Sequence, residues 1–203
     1  MMILHPIDKF NPLVLASSSP RRKELLAQLG IPFEPIESGI EETAFGGLSP
    51  AELACQVAVR KAESVRHRYP QRWILGADTI VALKRRVFGK PRDIRDCREM
   101  LLSLSGRNHR VITAFCLVDP SGITVHREAV HTTVKVKKMS EGEIEAYIKT
   151  GEPFGKAGGY AIQAIGSFMI ERIAGSYPNV VGLPVHEVIN AMIASGALRG
   201  FPL

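Results

Sequence analysis

The sequence predicts a mixed α/β domain, one sheet flanked by helices. Short apolar runs alternate with amphipathic segments through the first hundred residues, the pattern of strand–helix–strand units. Two long strand-like segments, 109–118 and 123–136, meet at Asp119-Pro120-Ser121-Gly122, which signals an antiparallel hairpin. The chain has 203 residues, 45% of them hydrophobic and 23% charged, enough to bury a sizeable core. It shows no internal repeat, low-complexity tract or clear linker, so residues 1–203 are expected to form one domain. Residues 1–12 read as a lead-in and 196–203 as a tail that frays.

The first strand is Leu13-Val14-Leu15-Ala16, a buried-type run. Ser17, Ser18 and Ser19 follow, then Pro20 and a helix carrying Leu25, Leu26 and Leu29. Ser19 suits the N-cap and Pro20 the first helical position, and Gly30 ends the helix. Arg21 and Arg22 then fall in the first turn, where the helix dipole disfavours cations by roughly 0.3–1 kcal/mol each. Two arginines beside three hydroxyls and free backbone N–H groups point to a bound phosphate chain; two solvated surface arginines are the bland alternative. Residues 31–36 are extended, and their prolines favour a sheet edge. Residues 37–48 form an acidic, glycine-bearing loop. Ser49-Pro50 with Glu52 opens a helix to about Tyr69, with Leu53, Val57, Ala58, Ala62 and Val65 on its apolar side.

Residues 73–83 read as a buried strand interrupted by Asp78. A carboxylate there must be paired, hydrogen-bonded or metal-bound; the structural alternative is that it ends or kinks the strand. Lys84-Arg85-Arg86 is a hairpin turn, and Val87-Phe88 leads to Gly89-Lys90-Pro91. Asp93 caps a helix to Ser105, and Ser140 with Glu143 forms a capping box for another helix to Thr150. Residues 151–167 are glycine-rich, 168–173 read as a strand, 175–179 as a turn, and Pro184 opens the last helix.

No apolar stretch approaches the roughly 20 residues of a membrane span, and the N-terminus lacks the basic start of a signal peptide. Cys55, Cys97 and Cys116 are widely spaced and form no zinc-like pattern, so free thiols in the cytoplasm are expected. The formal charge of +6 is compatible with nucleic acid, with an anionic small substrate, or with a plainly solvated surface. No nucleic-acid motif accompanies it, and aromatic residues are only 6%. Arg21, Arg22, Lys61 and Lys90 can neutralise phosphates. Glu41, Glu42 and Asp78 can hold a hard divalent cation. Gln163 offers the donor and acceptor that read a nucleobase edge. Taken singly, Lys61 and Glu42 are more often surface charges, and Gln163 a turn residue. The familiar GxxxxGK[ST] and GxGxxG phosphate loops are absent.

Together these residues lie in an ordered series: ASSSPRRKELL at 16–26, GIEET at 39–43, VAVRKA at 57–62, LGADTIV at 75–81, GKPRD at 89–93, LSG at 104–106, KAGGYAIQ at 156–163 and SYPNVVGLP at 176–184. The series resembles the Maf family of nucleoside triphosphate pyrophosphatases, also described as septum-formation inhibitor-like proteins. The resemblance implies a mixed α/β fold related to inosine-triphosphate pyrophosphatases, with two lobes around a cleft. It also implies cytoplasmic residence, a divalent cation (Mg²⁺ or Mn²⁺), a homodimer, and no membrane or nucleic-acid partner. Within the family the sequence is similar to the branch acting on dTTP and UTP. Arg21 stands where the branch acting on 7-methyl-GTP has a tryptophan, and Thr79 and Gln163 match the dTTP/UTP pattern. Ala161 and Ala164 replace glycines common in that branch.

The implied reaction is NTP + H₂O → NMP + pyrophosphate. The resemblance implies that Asp78 is the general base, with a metal-ligand role beside Glu42 as the rival assignment. On the same resemblance, Ser17, Ser19, Arg21 and Arg22 are expected to grip phosphates, Lys61 and Lys90 to stabilise developing charge, and Thr79 and Gln163 to recognise the base. A cell-division regulator acting through protein contacts, and a nucleic-acid-binding module, are the alternative functions.

Overall fold

The computed structural model describes residues 5–40 and 47–203. Its elements in chain order are β1 (Leu13–Leu15), α1 (Pro20–Gln28), β2 (Phe33–Pro35), α2 (Pro50–Arg66), β3 (Ile74–Leu83), β4 (Arg86–Phe88) and α3 (Ile94–Leu104). Then come β5 (Asn108–Val118), β6 (Thr124–Val136), α4 (Glu141–Lys149), β7 (Ile170–Ala174), α5 (Tyr177–Val181) and α6 (Val185–Ala194). Two 3₁₀ turns, Ala157–Gly159 and Ala164–Met169, precede β7. The sheet runs β2-β1-β3-β5-β6-β7, with β4 paired to β3. It is mixed, as the sequence predicts. β1 lies parallel to β2 and β3, whereas β4 is antiparallel to β3 and β7 to β6.

Local chemistry accounts for most of the boundaries. Ser49 and Ser140 make reciprocal capping boxes with Glu52 and Glu143, each satisfying two orphan donors. Asp93 accepts the Asp96 N–H at the start of α3. Gly30, at φ 70°, takes the left-handed conformation that stops α1. α2 stops at Arg66, short of the expected Tyr69, because Arg68 and Tyr69 close i→i−3 turns and Pro70 cannot continue a helix. Among the described residues no helix is long and apolar enough to cross a membrane.

The described residues divide into two compact units. The first takes Met1–Asp78, Thr113–Val130 and Gly182–Leu203. There β1 is buried on both faces, as expected for a central parallel strand. Leu13 and Leu15 pack with Leu26, Trp73, Phe115 and Val188. Val14 and Ala16 pack on the other face with Ala62, Val65 and Cys116. The chain ends also belong to this core. Ile7 is buried and donates its N–H to the Ala197 carbonyl at 2.8 Å, while Ala197 and Leu198 are themselves buried. The C-terminal segment is therefore packed as far as Leu198, beyond the point where fraying is expected.

The second unit takes Thr79–Ile112 and His131–Val181. Val81, Phe88, Leu101, Leu104, Val134, Ile144 and Tyr147 build its core. Within it His109 Nε2 meets the Tyr160 hydroxyl at 2.7 Å, and burial pushes the imidazole down to about 4, so the ring is neutral near pH 7. Two segments differ from expectation. The strand expected at 168–173 begins only at Ile170, because the chain is still wound as 3₁₀ through Met169 and the Ile170 N–H closes back on the Ser167 carbonyl. The turn expected at 175–179 winds into α5, whose buried Asn179 donates from Nδ2 to the Val111 carbonyl and to Thr132 Oγ1.

Candidate active site

In the first unit, the parallel register brings polar residues to one end of the sheet. β1 stops at Leu15, which pairs with Leu75, while β3 continues. The chain turns off β1 at once, the Ser17 N–H donating back to the Leu15 carbonyl at 2.8 Å, while β3 runs on to Asp78. The space off the carboxyl ends of parallel strands is where open α/β sheets bind ligands.

Asp78 neither ends nor kinks its strand. β3 runs through it because the carboxylate is paired: Lys61 Nζ donates to Asp78 Oδ1 at 2.7 Å. The two residues are only 5% and 4% exposed. The Lys61 stem lies on the buried side of α2, one turn from Val57 and one from Val65. That position was the signal in the sequence that Lys61 is not a surface charge. Gly76 permits the pairing. A Cβ there would sit 2.2 Å from the Ala58 carbonyl oxygen, so only glycine lets the α2 backbone lie this close to β3.

Arg22 also turns inward. It is 7% exposed; Nε donates to the Gly182 carbonyl at 2.8 Å and Nη1 to Ser17 Oγ at 3.1 Å. Ser17 Oγ accepts the Ser19 N–H as well, at 3.2 Å. One guanidinium thus holds the exit of β1 against the segment before α6, a role the sequence reading missed. Ser19 occupies the N-cap position, yet its side chain makes no capping bond, contrary to expectation. Arg21 is half-buried, and burial lowers its pKa against the opposing charge of Glu24. The first turn of α1 contains no acidic residue.

Thr79, Lys90 and Gln163 belong to the second unit. Lys90 is exposed, in a loop whose Gly89 carbonyl accepts the Gly158 N–H at 2.9 Å. The glycines of KAGGY are needed for close approach. A Cβ on Gly158 would lie 3.0 Å from the Val81 side chain, and one on Gly159 3.2 Å from Pro91. Thr79 precedes Val81 by two residues and faces the same side of β3. The unit therefore gathers the Lys90 loop, that face of β3 and the segment leading to the half-buried Gln163.

Ala164, which follows Gln163, has φ 53°, a left-handed conformation that a Cβ disfavours. Ala164→Gly is expected to raise stability by about 0.5–1 kcal/mol, read as a higher urea midpoint. An unchanged midpoint would mean that the conformation is unstrained. Cys97 and Cys116 are free, and burial pushes their thiols up to about 11 and about 12, which leaves them inert beside this chemistry. Glu41 and Glu42 lie outside the described residues. Among the described residues, no three His, Cys, Asp or Glu side chains come together.

A family model described as Maf-like protein matches residues 12–194. A dTTP/UTP pyrophosphatase of Syntrophotalea carbinolica is 46% identical over 199 residues, 97% of this chain and 90% of its own. Its counterpart in Desulfotalea psychrophila is 43% identical over 94% of this chain and 96% of its own, and that of Geobacter sulfurreducens 46% over 92% and 97%. A solved nucleoside-triphosphatase / dITP/XTP pyrophosphatase of Mycobacterium abscessus aligns over 92% of this chain and 97% of its own, at 15% identity and a TM-score of 0.42.

Proposed function

The chain belongs to the Maf-like protein family, and from that premise we propose that it hydrolyses dTTP and UTP to the monophosphate and pyrophosphate. The observation that carries this reading is near-full-length identity of 43–46% to proteins named for that activity. Such an enzyme removes triphosphates, modified pyrimidines included, from the nucleotide pool.

In the reaction, water attacks the α-phosphorus as the bond to the bridging oxygen breaks, and pyrophosphate leaves with that oxygen. The protein must neutralise the triphosphate, align the water and accept its proton. Asp78 is assigned as the base, held in one orientation through Oδ1 by Lys61. Ser17, Ser19, Arg21 and Arg22 surround the start of α1, where backbone N–H groups and the helix dipole favour phosphate. The inward fixing of Arg22 supports a positioning share in that work, through Ser17. Lys61 and Lys90 oppose the charge that grows on the leaving pyrophosphate. Thr79 and Gln163 recognise the carbonyl and N–H edge shared by thymine and uracil.

A divalent cation, Mg²⁺ or Mn²⁺, fits this donor set. A hard cation such as Mg²⁺ takes a few carboxylate oxygens and completes its shell with phosphate and water. Asp78 and Glu42 would hold it, and when bound it would neutralise phosphate charge. We assign the protein to the cytoplasm, where its free cysteines stay reduced, and expect a homodimer.

The test is a panel of nucleoside triphosphates with Mg²⁺ or Mn²⁺, with pyrophosphate and monophosphate quantified. dTTP and UTP should turn over fastest, releasing pyrophosphate. Orthophosphate as the first product would reject the bond cleavage, and no turnover of any triphosphate would reject the activity.

A further inference from the structure

The segment that carries Gln163 is closed at both ends by two side chains outside the catalytic set. After α4 the chain turns at Gly151, and Glu152 directs its carboxylate at three donors. Oε1 accepts the Tyr147 hydroxyl at 2.9 Å and the Gly166 N–H at 2.8 Å, and Oε2 accepts the Ile165 N–H at 3.0 Å. The Tyr147 oxygen in turn accepts the Ala161 N–H at 3.2 Å. Residues 161 and 166 are thus fastened to the same Tyr147–Glu152 pair, and Gln163 lies between them. The fit is tight. A Cβ on Gly166 would fall 2.3 Å from the Ala161 carbonyl oxygen and 2.6 Å from the Tyr147 hydroxyl.

The pair is itself held. Tyr147 is buried in the core of its unit, and burial raises its phenol, so the O–H stays available to donate. The Glu152 carbonyl accepts the Lys156 ammonium, and its N–H donates to Thr150 Oγ1 at 3.1 Å. Glu152 is the one acidic residue in the glycine-rich stretch 151–167, which was its mark in the sequence.

We infer that Glu152, acting through Tyr147 and the backbone at 161, 165 and 166, is a positioning residue for substrate selection. It fixes the loop that aims Gln163 at the pyrimidine edge, an inference that rests on the assignment of Gln163 to the base. A carboxylate is required because all three groups facing it are donors. A glutamine offers one oxygen and an NH₂, so in either orientation at least one donor meets another donor.

The experiment measures kcat and KM for dTTP, UTP, CTP and GTP with wild type, Glu152→Gln, Tyr147→Phe, Gln163→Ala and the Glu152→Gln, Gln163→Ala double variant. Glu152→Gln should lower kcat/KM for dTTP by about ten- to a hundredfold, the range seen when the partner orienting a metal ligand is lost. The loss should fall mainly on KM, and the preference for dTTP over CTP and GTP should narrow. Tyr147→Phe should act in the same direction with a smaller effect, and it carries the test if Glu152→Gln does not fold. In the Gln163→Ala background, Glu152→Gln should leave the preference unchanged, because its effect passes through Gln163.

An equal loss for every nucleotide, or the same narrowing with and without Gln163, would overturn the positioning role. If Gln163→Ala narrows the preference and neither Glu152→Gln nor Tyr147→Phe does, the inference fails and the base assignment stands. If Gln163→Ala changes no ratio, the base assignment fails and takes the inference with it.

Discussion

Asp78→Asn is expected to lower kcat by about 10²–10⁴-fold, the usual cost of losing a positioned general base. Asparagine keeps the shape of the side chain and can still accept from Lys61, so the strand should persist. It removes the charge, however, and leaves the Lys61 ammonium in a site where both residues are almost fully buried. Stability should therefore fall by about 3 kcal/mol as well, near the lower end for a broken buried pair. Turnover and urea unfolding measured on the same preparation separate the two effects. Near-wild-type kcat at saturating metal and substrate would remove Asp78 from the mechanism. Rescue by excess Mn²⁺ would favour the ligand role over the base role.

Lys61→Met should destabilise the fold by about 3–5 kcal/mol, since methionine fills the stem's volume but withdraws the cation 2.7 Å from a buried carboxylate. The two losses are not additive. With Lys61→Met and Asp78→Asn combined, no charge is left in the pair, and much of the stability should return. Turnover should not return, because the proposed base and one charge-stabilising cation are both gone. A double-mutant cycle by urea denaturation gives the coupling. A single-variant loss below about 1 kcal/mol would mean that the pair behaves as a solvated surface bridge.

The elements were largely legible because they are written locally. Capping boxes at Ser49–Glu52 and Ser140–Glu143, the stop at Gly30, the turn at Lys84 and the long hairpin each depend on residues a few positions apart. The errors are confined to short segments, at the end of α2 and on either side of β7. The 3₁₀ segment through Met169 delays β7, and Asn179 reaches Val111 and Thr132, which winds α5.

The candidate site divides in the same way. Sequence alone determined the fold class, the residue types that suit a triphosphate and the ordered motifs that mark the family. Only the tertiary structure decided which of those charges are spent on one another. Lys61 meets Asp78 across 17 residues, and Arg22 reaches Gly182 across 160. Neither pairing follows from the composition of its own segment, because each depends on the register of strands and the approach of α2 at Gly76. The same holds for Glu152. Its three donors are set in place by the closure of a loop, and a carboxylate's role is fixed by the groups that face it rather than by its neighbours in the chain.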